Sequence, residues 1–123
     1  MTPKSFDRWI RAYVAAWRTD DPGAIGALFA PRAVYATGPF DKLWRGRKAI
    51  VAAWIARGAS RVKWRFRHRL VAVQGSLAIV EGRTTYAASG GRGARVYGNL
   101  WLVRLNDRGE AVEFREWWMQ KPS

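Results

Sequence analysis

Apolar residues change period near Val62, and that change restricts the chain to helices packed against a sheet. Before it, Phe6, Trp9, Ile10, Tyr13, Val14 and Trp17 recur at spacings of three and four, with Arg8, Arg11 and Arg18 on the other side. This is the stripe of an amphipathic helix. After it, Trp64, Phe66, His68 and Leu70 alternate with Lys63, Arg65, Arg67 and Arg69, the pattern of a half-buried strand. Helical stripes that must be buried on the apolar face of an antiparallel sheet give an α+β fold.

The remaining elements follow from local signals. Thr2-Pro3 supplies a capping hydroxyl and a residue that needs no N–H at the first helical position, so a helix is expected from there to about Arg18. Asp21-Pro22 restarts a short helix carrying Ile25, Leu28 and Phe29 inward, with Pro31 as its stop. A short strand is expected at 33–37, then a loop at 38–46 whose Phe40 and Trp44 should fold over the core or a pocket mouth. A third helix should cover 47–57, with Ile50, Val51, Trp54 and Ile55 apolar and Gly58 ending it. Strands are expected at 62–70, 77–88, 94–105 and 113–119, with turns at Gln74-Gly75 and Asn106-Asp107-Arg108-Gly109. No linker or repeat interrupts them, so residues 1–123 are read as one domain. Long strands that twist strongly would curl around the first helix and leave a cone-shaped interior with a pocket.

Composition removes several classes. The 123 residues are 49% hydrophobic with eight Trp, which excludes disorder, and they contain no cysteine, which excludes disulfides and thiolate metal sites. No stretch approaches the ~18 apolar residues of a membrane span, and no apolar signal core follows Met1, so a cytoplasmic protein without a membrane partner is expected. The net charge of +13 comes from basic residues spread from Lys4 to Lys121. Such a chain should bind nucleic acid weakly and without specificity at low salt. The row Lys63, Arg65, Arg67 and Arg69 reads as a solvated face, because its interleaved aromatics point the other way.

The last strand carries the chemistry. Phe114, Glu116 and Trp118 share one face, which sets a single carboxylate between two rings. A charge on an apolar surface costs on the order of several kcal/mol unless it is paired, hydrogen-bonded or protonated. By strand parity the inner face should also carry Tyr35, Phe66, His68, Gly82, Thr84, Tyr97, Asn99 and Trp101. Tyr13, Tyr35, His68, Thr84, Asn99 and Glu116 are then the polar groups able to meet inside. Glu116 is either neutralised by His68 and neighbouring donors, or is an acid/base whose pKa burial raises. His68 and Glu116 alone fall short of the three or four ligands of a zinc site, and no metal or cofactor is expected.

The order of these segments resembles the nuclear transport factor 2-like superfamily, in particular its SnoaL-like branch. Tyr13-Val14-Ala15-Ala16-Trp17, Asp21, Leu28-Phe29-Ala30, Ala33-Val34-Tyr35, Gly46-Arg47 and Ala49-Ile50 resemble the first half of the family, and Gly109 through Trp118 its last hairpin. The resemblance implies a curved sheet and three helices around an apolar pocket, and dimerisation through the outer sheet face, where Val71, Leu100 and Leu102 lie by parity. In ketosteroid isomerases a first-helix tyrosine is an oxyanion donor, and Tyr13 matches it. Their general-base aspartate and second acid correspond to Thr37 and to the neighbourhood of Trp101. In limonene epoxide hydrolases the final-strand acid corresponds to Glu116. Tyr35 and Thr37 match their first-strand positions, whereas their arginine–aspartate pair is replaced by Gly82 and Thr84.

Together these readings define an expected site. Glu116, His68 and Tyr13 are the catalytic candidates. Tyr35, Asn99, Trp17, Trp101, Phe114, Trp118, Thr84 and Phe66 are the ligand-binding candidates. The expected ligand is small, mostly apolar and oxygenated, and the expected chemistry is cofactor-free proton transfer: isomerisation, cyclisation or epoxide opening. A non-catalytic binder or dimeric scaffold is the alternative, and a polyanion-binding module is the third.

Overall fold

In a computed structural model, which describes residues 2–58 and 62–122, helix α1 spans Pro3–Thr19. Thr2 caps it by accepting from the Ser5 amide at 3.3 Å, and the chain leaves it at Asp20 in the left-handed region (φ 53°). Helix α2 spans Pro22–Ala27 and is capped by Asp21, whose Oδ2 accepts from the Ala24 amide at 2.8 Å. The helix ends earlier than its apolar pattern suggests: Phe29 opens strand β1 (Phe29–Ala36) instead of closing α2. Pro31 therefore lies inside a strand, at the irregularity between Phe29 and Val34 where the missing N–H is tolerated. Strand β2 (Trp44–Arg45) is a two-residue edge within the expected loop, and α3 (Arg47–Arg57) follows between Gly46 and Gly58. Strands β3 (Trp64–Gln74), β4 (Leu77–Tyr86), β5 (Arg95–Leu105) and β6 (Ala111–Gln120) complete the chain.

The six strands form one curved open sheet in the order β2-β1-β6-β5-β4-β3. The expected α+β class holds, with one pairing that differs. β6 lies parallel to β1, setting Tyr35 beside Phe114, while every other neighbour is antiparallel. An antiparallel meander that has run β3 to β6 returns in the same direction as β1, so closing on it requires the parallel register. The ladders are irregular at Leu70/Ala72 and at Arg104/Leu105, leaving Val71 and Val112 as extra residues. Such bulges increase local twist and bend the sheet toward the helices.

The core is mainly aromatic. Phe6, Ile10, Phe29, Tyr35, Ile50, Trp54, Trp101 and Phe114 are all almost fully buried, and Trp9 Nε1 donates to the Leu28 carbonyl at 2.9 Å, tying α1 to the start of β1. Trp17 stacks on Trp64 at 3.8 Å between ring centroids, and Phe66 stacks on Trp101 at 4.9 Å. Gly82 makes that second stack possible, because a Cβ there would lie 2.5 Å from the Phe66 ring. Phe66 is packed against Trp17 and Trp101, so a shift of its ring disturbs both contacts. Gly82→Ala is expected to lower unfolding free energy by about 1–3 kcal/mol in urea titrations, the range for overpacking a filled core.

Candidate active site

The inner sheet face, α1 and α3 enclose a cavity of about 550 Å³, within the range of small-molecule sites. Depth follows strand position. Along β6, Phe114 is fully buried, Glu116 is partly buried and Trp118 is 55% exposed, so the cavity opens toward the C-terminal end of β6. Across the sheet, Trp101 is fully buried opposite Glu116, and Asn99, Tyr97 and Arg95 follow it toward the mouth.

Glu116 is fixed by two donors. Its Oε2 accepts from Asn99 Nδ2 at 2.7 Å and from Trp101 Nε1 at 3.0 Å, and Oε1 has no hydrogen-bond partner among the described residues. Asn99 is itself oriented by Thr84, whose hydroxyl donates to Asn99 Oδ1 at 2.8 Å, which turns the amide NH₂ toward Glu116. Burial raises the Glu116 pKa above the usual carboxylate range, opposed by the Trp101 and Asn99 hydrogen bonds and by the positive charge of Arg57.

A second set of groups meets at α1, α3 and β1. The hydroxyls of Tyr13 and Tyr35 are 2.6 Å apart, and the Arg57 guanidinium is within hydrogen-bonding reach of Tyr35. Burial, with Tyr35 and Glu116 nearby, pushes the Tyr13 hydroxyl well above its ordinary range, so it remains a protonated donor. Burial also raises Tyr35, which Arg57 opposes. For Arg57, burial works against the charge, but Tyr35 and Tyr13 outweigh it and the guanidinium is held more firmly protonated. Arg57 is an exposed residue overall, yet its guanidinium carbon lies 5.4 Å from the centre of the Trp44 ring at the cavity wall.

Tyr13, Trp17, Thr84, Asn99, Trp101, Glu116 and Trp118 all line the cavity. Three expected ligand contacts stand behind its wall instead. Tyr35 and Phe114 are fully buried and stack on each other at 4.5 Å, and Phe66 packs against Trp101 and Trp17. Strand parity gives the face a residue points to, but not whether another ring covers it.

His68 requires a correction. It is exposed midway along β3, where its Nε2 lies 3.4 Å from Asp7 Oδ1 of α1, and no hydrogen bond joins it to Glu116 among the described residues. The first turns of α1 cover that part of β3 and offer an acid there. Phe40 also departs from expectation: it is 98% exposed, and of the two bulky apolar residues of its loop only Trp44 lines the cavity.

Arg57 and Arg95 are cavity-lining residues that the sequence reading missed. The signals were present. Arg57 is seven residues after Ile50 and three after Trp54, on the apolar side of α3, and Arg95 shares the inward parity of Tyr97, Asn99 and Trp101. Tyr86 and Asp41 complete the polar lining, with Asp41 accepting from the Thr37 hydroxyl at 2.7 Å. Among the described residues no cluster of three or more His, Asp or Glu could hold a metal ion, and no helix is long and apolar enough to cross a membrane.

The outer sheet face is different. Arg67 sits directly opposite Arg83 in the β3–β4 register, and neither has an ion-pair partner among the described residues. Arg69 pairs with Glu81 at 3.3 Å, and Glu113 is shared between Arg104 and Arg115. Val71, Leu100, Trp117 and Met119 are exposed apolar residues of these strands. Trp117 therefore adds an aromatic ring to the basic face, which β3 by itself does not have.

A curved sheet closed over helices around a polar-lined cavity is the architecture of the nuclear transport factor 2-like superfamily. A SnoaL-like domain matches residues 10–114, and the chain belongs to that family. No curated protein matches the sequence significantly. Among solved structures, the chain resembles a hypothetical protein with a ketosteroid isomerase-like fold from Catenulispora acidiphila DSM 44928 in complex with trimethylamine. The two share 21% identity over 95% of this chain and 86% of that one, with a TM-score of 0.71. It resembles an LEH-like epoxide hydrolase of M. tuberculosis at 16% identity over 91% and 80%, TM-score 0.71. It also resembles SalBIII, an epoxide hydrolase/cyclase-like enzyme of pyran ring formation in salinomycin, at 16% identity over 92% and 89%, TM-score 0.75.

The carboxylate makes a testable demand on stability. A folded pKa raised above the unfolded value means that the native state binds more protons, so stability falls as pH rises from the unfolded toward the folded pKa. Gln can keep both hydrogen bonds through its carbonyl oxygen without the charge. Glu116→Gln is therefore expected to melt above the wild type at pH 8, with the gap closing as pH falls through the carboxylate range.

Proposed function

We propose that the cavity is the active site of a cofactor-independent acid/base enzyme acting on a small oxygenated substrate, by isomerisation, cyclisation or epoxide opening. The observation that carries this reading is the asymmetry of Glu116. One carboxylate oxygen is tied by Asn99 and Trp101, and the other is unengaged at the cavity. A carboxyl group whose pKa burial raises, and whose orientation is fixed, is suited to give or take a proton without first reorganising. The kinship with epoxide hydrolase and cyclase structures supports the same class of chemistry.

Tyr13 complements it from the opposite wall. Either hydroxyl of the Tyr13–Tyr35 pair can donate; in this reading Tyr35 donates, with Arg57 beside it, and Tyr13 offers its proton to a substrate oxygen on which negative charge develops. In an isomerisation, Glu116 as carboxylate removes a proton beside a carbonyl and returns it elsewhere, while Tyr13 stabilises the enolate oxygen. In an epoxide opening, a hydroxyl of the substrate itself attacks the ring carbon, the C–O bond breaks as Glu116 in its acid form protonates the departing oxygen, and the proton left on the new ether oxygen returns to the Glu116 carboxylate. The acid row of the limonene epoxide hydrolases is kept at Glu116 alone, so water activation by their full constellation is not part of this reading.

A panel of small enones, epoxides and hydroxy-epoxides, followed by product analysis, tests it. With a turned-over substrate, Glu116→Gln should lower kcat by about 10²–10⁴, as expected for loss of a general acid/base. Tyr13→Phe should lower it by about 10²–10³, as for one oxyanion donor. Unchanged turnover in Glu116→Gln would remove Glu116 from the chemistry and favour a non-catalytic binding role.

A second reading concerns the outer face, where Val71, Leu100, Trp117 and Met119 expose apolar surface beside unpaired Arg67 and Arg83. A homodimer through this face would cover the apolar residues and let the arginines of one copy meet Glu81 or Glu113 of the other. Sedimentation should then show a dimer that Trp117→Glu converts to monomer. Monomeric wild type with steep salt-dependent binding to single-stranded DNA would favour a polyanion on the same face.

A further inference from the structure

The cavity holds more positive charge than the chemistry above requires. Arg57 is engaged by Tyr35 and by the field of Glu116. Arg95 has no such partner: it forms no ion pair among the described residues, and its Nε is buried without a hydrogen bond. Its guanidinium carbon lies 5.0 Å from the centre of the Tyr86 ring, which steadies the group but satisfies none of its N–H donors. The other buried donor without a partner, Trp17 Nε1, also belongs to a cavity-lining residue. Neither acid of the lining forms an ion pair with Arg95. Glu116 is held by Asn99 and Trp101, and Asp41 accepts from Thr37.

We propose that the cavity takes a substrate bearing a carboxylate, held by the Arg95 guanidinium at the mouth, with the reacting carbon or oxygen between Glu116 and Tyr13. The inference rests on the acid/base reading of the same cavity and names its substrate class. A planar guanidinium matches a carboxylate through two parallel N–H···O bonds, and a single fork suits this monoanion better than a phosphate dianion. Arg95 lies four residues before Asn99 on the same face of β5, roughly 13 Å along the strand. The Arg95 side chain takes up part of that distance. The substrate is therefore an extended acid whose apolar body lies among the rings of Trp101, Tyr97 and Trp118. The +13 net charge would also raise the encounter rate with an anion.

Calorimetric titration with 3-phenylpropionate and with its methyl ester tests the assignment at low ionic strength. The wild type should bind the acid roughly 10- to 100-fold more tightly than the ester, the effect of one charge-assisted pair. Arg95→Gln should bring the acid down to the ester's affinity and leave the ester unchanged. Arg65→Gln makes the same charge change on the outer face and should retain the preference. An ester that binds as tightly as the acid overturns the carboxylate assignment while the cavity stands as a binding site, as does loss of preference in Arg65→Gln. Binding of neither probe overturns both readings. Among the described residues Arg95 supports no other side chain by hydrogen bond or ion pair, so its replacement should melt with the wild type.

Discussion

The two N–H groups that converge on Glu116 Oε2 are the interaction on which the interior depends. An inner face built from Phe114, Trp101 and Trp118 could not carry an ionisable group without them, since an unpaired carboxylate there would be strongly disfavoured. The donors come from β5, the strand directly paired with β6, and they fall on the residue opposite Glu116 and on the one two places further along. Sheet register therefore places the acid and both of its supports. Thr84, one strand further, orients the amide that makes the second bond. Three adjacent strands hold one carboxylate in one orientation and leave one oxygen unengaged.

The aromatic core gives that arrangement its rigidity. Tyr13 is packed against Trp54, Trp101 and Phe114, with ring centroids at 4.9, 4.7 and 5.3 Å, so its hydroxyl is fixed in a direction that the ring alone does not determine. Tyr35, stacked between Trp44 and Phe114, is fully buried behind the cavity wall with its hydroxyl against that of Tyr13. Gly82 makes room for the Phe66 ring, and Phe66 in turn backs Trp101. The resemblance to limonene epoxide hydrolases implies charged side chains on this stretch of the middle strand in those enzymes, and here the Phe66 ring fills the space beside Gly82. One fold thus supports different sites through a few exchanges of side-chain volume and charge.

The two faces of the sheet divide the charge of the molecule. Inside, cations are few and each faces aromatic rings or hydroxyls. Outside, arginines stand beside one another, as Arg67 and Arg83 do, in solvent that screens them. The cavity lining holds two arginines beside two acids, and the outer face exposes apolar residues beside arginines that form no ion pair among the described residues.

Much of this could be read directly from the sequence. The change of apolar period at Val62, the caps at Thr2, Asp21 and Gly58 and the glycine turns are local signals, and local sterics and burial determine helices, strands and the inward face of each. The inward position of Glu116, Asn99, Trp101, Thr84 and Tyr13 follows from that parity. Which inward residue reaches which other one does not. His68 lies on the correct row but meets Asp7, because α1 covers only part of β3, and Tyr35 and Phe114 lie on the correct face but beneath other rings. Arg57 and Arg95 enter the cavity from α3 and β5, and their relation appears only when the helices are packed on the sheet. The sequence by itself determined the elements, their faces and the acid among aromatics, since those depend on neighbours a few residues apart. Tertiary structure alone decided the partners of that acid and the charge of the cavity, since those depend on register and layering between segments tens of residues apart.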